Sequence, residues 1–227
     1  MSIQYNAYDA LVSTIDIDAA GNKTAYIDEY DTYSYKHLKN AVGNTSKFLM
    51  DLGLRQNDRI LIAMLDRFTL PVTFLASIRV GIIPILTNTL LTVEDYQYIV
   101  QDSGAKVAFT SPEILDVFTR LKEKSLIERI VLENEVAGVK KSPTDPLPEV
   151  SWQNPDAPCF WLYSSGSTGR PKGTVHKQTS LSQTSELYAI PTLGIQKSDI
   201  IFSAAKLFFA YGLGNSLSFP LTVGATA

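Results

Sequence analysis

Apolar residues recur every three or four positions through Leu38, Ala41, Val42, Thr45, Phe48, Leu49 and Leu52, and this spacing predicts an amphipathic helix. Ser34 is placed to cap it and Gly53 to stop it. Just before it, apolar and polar residues alternate over 24–35 around Asp28-Glu29-Tyr30-Asp31, which predicts a short hairpin. The run Arg59-Ile60-Leu61-Ile62-Ala63-Met64-Leu65 is different in kind: almost continuously apolar, it marks a strand covered on both faces. The two patterns then take turns. A helix over 71–80 closed by Gly81, a strand over 82–87 and a helix opened by Thr92 with Glu94 and Asp95 in its first turn are followed by a strand over 106–110. A helix from Ser111-Pro112 to residue 124 and a strand over 129–132 complete the series. Strands alternating with helices predict an α/β fold, a doubly wound, mostly parallel sheet flanked by helices.

The pattern changes between 138 and 158, where Pro143, Pro146, Pro148, Pro155 and Pro158 stand among polar residues, as in a connection over the surface. It separates an α/β subdomain over 1–157 from a segment over 158–227 that is expected to begin a second, incomplete one. Residues 207–227 carry no charge over 21 positions, long enough to raise the question of a membrane span. Three glycines, Pro220, Asn215, Ser216, Ser218, Thr222 and Thr226 interrupt the run, so it reads as core and no span is expected. The stop at Gly224-Ala225-Thr226-Ala227, without a polar end, suggests a piece of a longer protein whose missing half would cover that run.

Composition narrows the classes. With 227 residues, 45% hydrophobic and 19% charged, the chain is globular rather than disordered or coiled-coil. A net charge of −3 gives no electrostatic reason to expect nucleic acid as a partner. A single cysteine, Cys159, and two histidines, His37 and His176, exclude an internal disulfide and a zinc-type ligand cluster, so no metal site is expected. No basic-then-apolar leader opens the chain, and a cytoplasmic setting is expected.

The chemistry concentrates after a short apolar strand, Cys159-Phe160-Trp161-Leu162-Tyr163, in Ser164-Ser165-Gly166-Ser167-Thr168-Gly169-Arg170-Pro171-Lys172-Gly173. Glycines allow the dihedrals that let successive amides converge on one anion, hydroxyls add donors without bulk, and Arg170 and Lys172 add fixed positive charge. Those are what a polyphosphate needs. The Walker pattern fails because Lys172 follows Pro171 and precedes Gly173, and Gly212-Leu213-Gly214-Asn215-Ser216-Leu217 lacks the third glycine of a dinucleotide fingerprint. A flexible Ser/Gly connector is the bland alternative, which Pro171 and the bulky apolar approach disfavour.

Tyr163 to Gly173 resembles the phosphate loop of the acyl-adenylate-forming (AMP-binding) superfamily, and Asn88-Thr89-Leu90-Leu91-Thr92 and Thr184-Ser185-Glu186-Leu187-Tyr188 extend the resemblance over most of the chain. Within it, 203–215 most resembles the benzoate:CoA ligases, with Phe209 where many relatives have histidine. The resemblance implies the partial N-terminal domain of an acid:CoA ligase that forms an acyl-AMP from a small-molecule carboxylate and ATP, then a thioester with coenzyme A. It also implies that Ser164, Ser165, Gly166, Ser167, Thr168, Gly169 and Lys172 hold the ATP phosphates, helped by Mg²⁺, while Phe209, Ala210 and Tyr211 line the carboxylate pocket. Ordinary core packing is the alternative for Phe208, Phe209 and Tyr211. The adenine, ribose and magnesium contacts and the catalytic lysine of the family would lie beyond Ala227, so no catalytic residue is assigned here, and the fragment alone is expected to be inactive.

Other readings stay open: a ligase for a hydroxybenzoate, a cyclic aliphatic acid or a fatty acid, or a non-catalytic nucleotide-binding or interaction module. His176, without a carboxylate nearby in sequence, reads as structural rather than as a general base, because a carboxylate substrate is already ionised at neutral pH. His37 is expected at the surface, and Cys159 as a buried small hydrophobe.

Overall fold

The computed structural model describes residues 3–13, 15, 22–124, 127–136, 146–165 and 170–227. Strands β1 (Thr24–Ile27) and β2 (Thr32–Ser34) form the expected antiparallel hairpin. Helix α1 (Tyr35–Asp51) follows, with the Ser34 hydroxyl accepting from the His37 amide at 3.2 Å and Gly53 turning the chain away at φ +85°. Strand β3 (Arg59–Ala63), helix α2 (Thr69–Arg79), strand β4 (Ile83–Leu86), helix α3 (Val93–Ser103) and strand β5 (Val107–Thr110) then alternate. Helix α4 (Leu115–Lys124) and strand β6 (Arg129–Leu132) close the series.

These strands lie in one six-stranded sheet of order β6-β5-β3-β4-β7-β8, completed by β7 (Pro158–Ser165) and β8 (Pro171–Lys177). Every neighbouring pair is parallel except β7 and β8, which run antiparallel. At the expected boundary after residue 157 the sheet is continuous: β7 pairs with β4 through Ile85 and Trp161, and Leu86 and Leu162.

The period-two alternation of the buried strands sorts their side chains into two cores. Ile60 and Ile62 pack with Leu38, Val42 and Leu49 of α1 and Phe74 of α2, whereas Leu61 and Ala63 pack with Tyr96, Ile99 and Val100 of α3 and Phe118 and Leu121 of α4. Helices therefore cover both faces, which is why β3, β4 and β5 are apolar almost throughout. In the Pro-rich connection, residues 138–145 lie outside the described set. Beyond it, Gln153 exchanges backbone hydrogen bonds with Tyr5, and the Asn6 side chain donates to Ile78 and Ser151 carbonyls at 3.0 and 2.8 Å.

The uncharged run 207–227 differs from expectation. Leu207, Phe208, Leu213, Leu217 and Leu221 belong to the same core as α1 and α2, so the run is largely covered by this chain itself. Its last residues align with β1: Ile27 donates to the Ala227 carbonyl at 2.8 Å and Ala227 to that of Ala25 at 2.9 Å. Among the described residues no helix is long and apolar enough to cross a membrane. His37 is also not a plain surface residue, because its ring meets those of Tyr33 and Phe68 edge-on, each at 5.4 Å. Cys159 is buried, and burial pushes its thiol well above the usual range, leaving it un-ionised.

Candidate functional site

The carboxyl ends of β3, β4, β5, β6 and β7 all reach one rim of the sheet, where α/β proteins place ligands. At the β4 and β7 end of this rim lies a cavity of about 1050 Å³. One wall is the β7–β8 hairpin, with Leu162, Tyr163, Ser164, Thr174 and His176; another is Ala205 and 208–211; the loop after β4 supplies Asn88 and Leu91, and the first turn of α3 supplies Asp95.

The hairpin positions its groups by register. Phe160 faces His176, Leu162 faces Thr174, and Ser164 faces Lys172 across the antiparallel pair, so these six residues share one face of the ribbon. The sequence assigned 164–173 to a loop. The structure instead continues strand through Ser165 and resumes it at Pro171, because antiparallel pairing satisfies backbone groups that a loop would leave to solvent. Lys172 is thus an exposed strand residue opposite Ser164, and it makes no ion pair among the described residues. Gly166, Ser167, Thr168 and Gly169 lie outside the described residues, as does the side chain of Ser165.

The loop after β4 is held by short-range bonds. Asn88 Oδ1 accepts from the Leu90 amide at 2.9 Å and the Asn88 carbonyl accepts from Tyr96 Oη at 2.6 Å. Thr92 and Asp95 form a reciprocal capping box at the start of α3, with each backbone amide donating to the other's side chain at 3.2 Å.

On the far wall the structure separates the three aromatics. All three border the cavity with Ala210, but Phe208 is 8% exposed and belongs to the core, whereas Phe209 and Tyr211 are 51% and 69% exposed. Ordinary core packing therefore holds for Phe208 alone. A tight turn puts these residues there: a Cβ on Gly212 would collide with the Lys206 carbonyl oxygen and lie 2.6 Å from that of Ala205, so only glycine fits.

His176 lies flat on Phe160, ring centroids 4.5 Å apart and planes 2° from parallel. Burial lowers its pKa below the ordinary histidine value, so it presents a neutral ring at pH 7. The same ring borders a smaller recess of about 360 Å³ reaching Leu181, Tyr188 and Phe219, so the two spaces adjoin. Among the described residues no group of three or more His, Cys, Asp or Glu is placed to hold a metal ion.

The cavity thus brings together Ser164, Phe209, Ala210 and Tyr211 from the sequence reading, whereas Lys172, paired with Ser164 on the same ribbon face, is not among its lining residues. Asn88, Leu91, Asp95, Leu162 and Thr174 were missed. Strand alternation from His176 would have found Thr174, and Asp95 was legible only as a helix-start residue.

Comparison with known proteins agrees with this geometry. The model of the family described as AMP-binding enzyme matches residues 16–227. A benzoate–CoA ligase of Thauera aromatica is 47% identical over 99% of this chain and 44% of its own length. The crystal structure of a benzoate CoA ligase from Burkholderia xenovorans LB400 superposes with a TM-score of 0.88 at 38% identity, covering 98% of this chain and 45% of that one. The anthranilate CoA ligase AuaEII, solved in complex with anthranoyl-AMP, superposes with a TM-score of 0.92 at 29% identity, covering 100% and 44%. The chain spans a little under half the length of the relatives it matches.

Proposed function

Because this chain belongs to the AMP-binding enzyme family, we propose that it forms the N-terminal part of an ATP-dependent aryl-acid:CoA ligase of the benzoate type. The observation that carries this reading is the single cavity shared by the end of the β7–β8 hairpin and the Phe209-Ala210-Tyr211 wall. It offers an apolar side for a ring and, at Asn88, Ser164 and Thr174, a polar side next to the hairpin that carries Lys172.

In this proposal a carboxylate oxygen attacks the α-phosphorus of ATP and the bond to the β-phosphate breaks, releasing pyrophosphate. The thiol of coenzyme A then attacks the acyl carbon and AMP leaves. This chain's work is to orient two anions and oppose the charge on the leaving pyrophosphate. Lys172 and Ser164, with Ser165 and residues 166–169, hold the β- and γ-phosphates. Ala210 leaves room for the ring, and Phe209 and Tyr211 pack along it. The neutral His176 serves as wall rather than base, since the acid arrives ionised. Mg²⁺ enters only as the companion of the ATP phosphates. The complete reaction needs the C-terminal part that the relatives possess, and the setting is cytoplasmic.

The test is acid-dependent exchange of pyrophosphate into ATP by the full-length protein, across benzoate, hydroxybenzoates, anthranilate, cyclohexane carboxylate and a fatty acid. Strongest exchange with benzoate or a close ring analogue supports the assignment. Exchange with the fatty acid alone, or with no acid, refutes it.

A further inference from the structure

Ser164 and Lys172 ride on a ribbon whose outer strand, β8, pairs only with β7 among the named strands and is exposed through most of its length. Pairing of β7 with β4 ends at Leu162, and beyond it the hairpin is a two-stranded projection, free to twist unless something ties it down. Two side-chain contacts do so, both to α3. Tyr163 Oη donates to Asp102 Oδ2 at 2.6 Å, a short bond to an ionised acceptor. The Arg170 guanidinium lies over the Tyr98 ring, 5.6 Å from its centroid.

The path of Tyr163 depends on its cross-strand neighbour. A Cβ on Gly173 would lie 2.9 Å from Tyr163 Cζ and 3.1 Å from its hydroxyl oxygen, so the ring crosses β8 where a side chain is missing. Glycine at 173 therefore has a use that polyphosphate binding does not explain: it opens the route by which Tyr163 reaches α3. Burial and the Asp102 carboxylate both raise the phenol's pKa, which keeps its proton available for that bond. The tie sits one residue from Ser164 and, across the ribbon, one residue from Lys172.

We propose that Tyr163 is a positioning residue for the ATP phosphates: laid over Gly173 and tied to Asp102, it sets the angle at which the β7–β8 hairpin presents Ser164 and Lys172. This rests on the adenylation reading above. A shift of about 1 Å in groups that orient a reacting phosphate is enough to cost orders of magnitude in rate, so partial loosening should be measurable.

The experiment compares Tyr163→Phe, Asp102→Ala, Asp102→Asn and the double variant Tyr163→Phe/Asp102→Ala in the full-length ligase. Expected are a three- to tenfold rise in KM for ATP in Tyr163→Phe and Asp102→Ala, an unchanged KM for the acid, and a melting temperature close to the parent's. Asp102→Asn should recover most of the affinity, because its amide oxygen still accepts the phenol proton, and the double variant should be no worse than either single one. An unchanged KM for ATP, equal rises for ATP and acid, or Asp102→Asn behaving as Asp102→Ala would overturn the proposal. Failure of the adenylation reading looks different, for the unsubstituted protein would then exchange no pyrophosphate with any acid. Amide hydrogen exchange over 158–165 and 171–177 still decides the tether in that case: faster exchange in Tyr163→Phe supports it, and unchanged exchange overturns it.

Discussion

Arg67 sits on the sheet rim at the centre of three carboxylates drawn from three separate turns. Its guanidinium meets Glu29 at 2.8 Å, Glu113 at 2.6 Å and Glu133 at 2.9 Å, and lies 5.2 Å from the Tyr30 ring centroid. Arg67→Ala removes the only cation of this group and leaves three acids facing one another. The arms are unequal: Glu29 and Glu113 are 61% and 47% exposed and contribute about 0.2 to 1 kcal/mol each, as solvent-screened pairs do. Arg67 and Glu133 are each only 12% exposed, and a hydrogen bond between charged groups at such a site contributes about 1.5 to 3 kcal/mol. The combined loss is about 3 kcal/mol, or about 6 to 12 °C in melting temperature for a chain of this size.

The assay is thermal unfolding by fluorescence at pH 7 and at lower pH, with Arg67→Lys as a companion that keeps one charge but not the fork. Hydrogen bonding to Arg67 holds the Glu113 carboxyl below the usual glutamate range. A depressed folded-state pKa contributes stability above the unfolded value of about 4.3 and loses it as pH falls through the folded one. The Glu113 share of the gap between parent and Arg67→Ala, about 0.2 to 1 kcal/mol, should therefore be present at pH 7 and lost below about pH 4. A gap equally wide at pH 3 and pH 7, or a variant melting within 2 °C of the parent at pH 7, would refute the assignment of this stability to the ion cluster.

Further outcomes follow from the same geometry. Lys172→Ala in the full-length protein should slow acid-dependent pyrophosphate exchange at least tenfold while leaving the melting temperature within 2 °C, and equal losses of both would count against a phosphate role. Gly212→Ala places a Cβ against the carbonyls of Ala205 and Lys206, so circular dichroism should report loss of folded protein or a destabilisation above about 3 kcal/mol. Thr92→Ala breaks the capping box and should lower stability by about 1 kcal/mol in urea titration, with Thr92→Ser recovering most of it.

Much of the scaffold was legible because its signals are local. Ser34, Gly53, Gly81 and Thr92 mark helix ends through their own φ angles and side chains, and the runs at 59–65 and 106–110 are largely apolar because helices cover both faces. What escaped depends on residues far apart in the chain. Nothing near Arg67 announces Glu29, Glu113 or Glu133, and nothing near His37 announces the ring of Phe68. The placement of Lys172 was missed for a related reason: a Gly- and Ser-rich composition argues for a loop, while the pairing of Pro171–Lys177 with Pro158–Ser165 is a property of two segments together. Cover for the uncharged run at 207–227 was likewise invisible, since it comes from helices well over a hundred residues earlier in the chain.

The alignment of 225–227 with β1 bears on how the polypeptide emerges during synthesis. Thr226 Oγ1 donates to the Thr24 carbonyl at 2.8 Å and Tyr35 Oη to that of Ala225 at 2.5 Å, so the first hairpin is completed by residues some two hundred positions later. At about 5 to 20 residues per second a ribosome takes about 10 to 40 s to deliver them. Throughout that interval the edge of Thr24–Ile27 lacks these partners, and an unpaired strand edge is a template for neighbouring nascent chains.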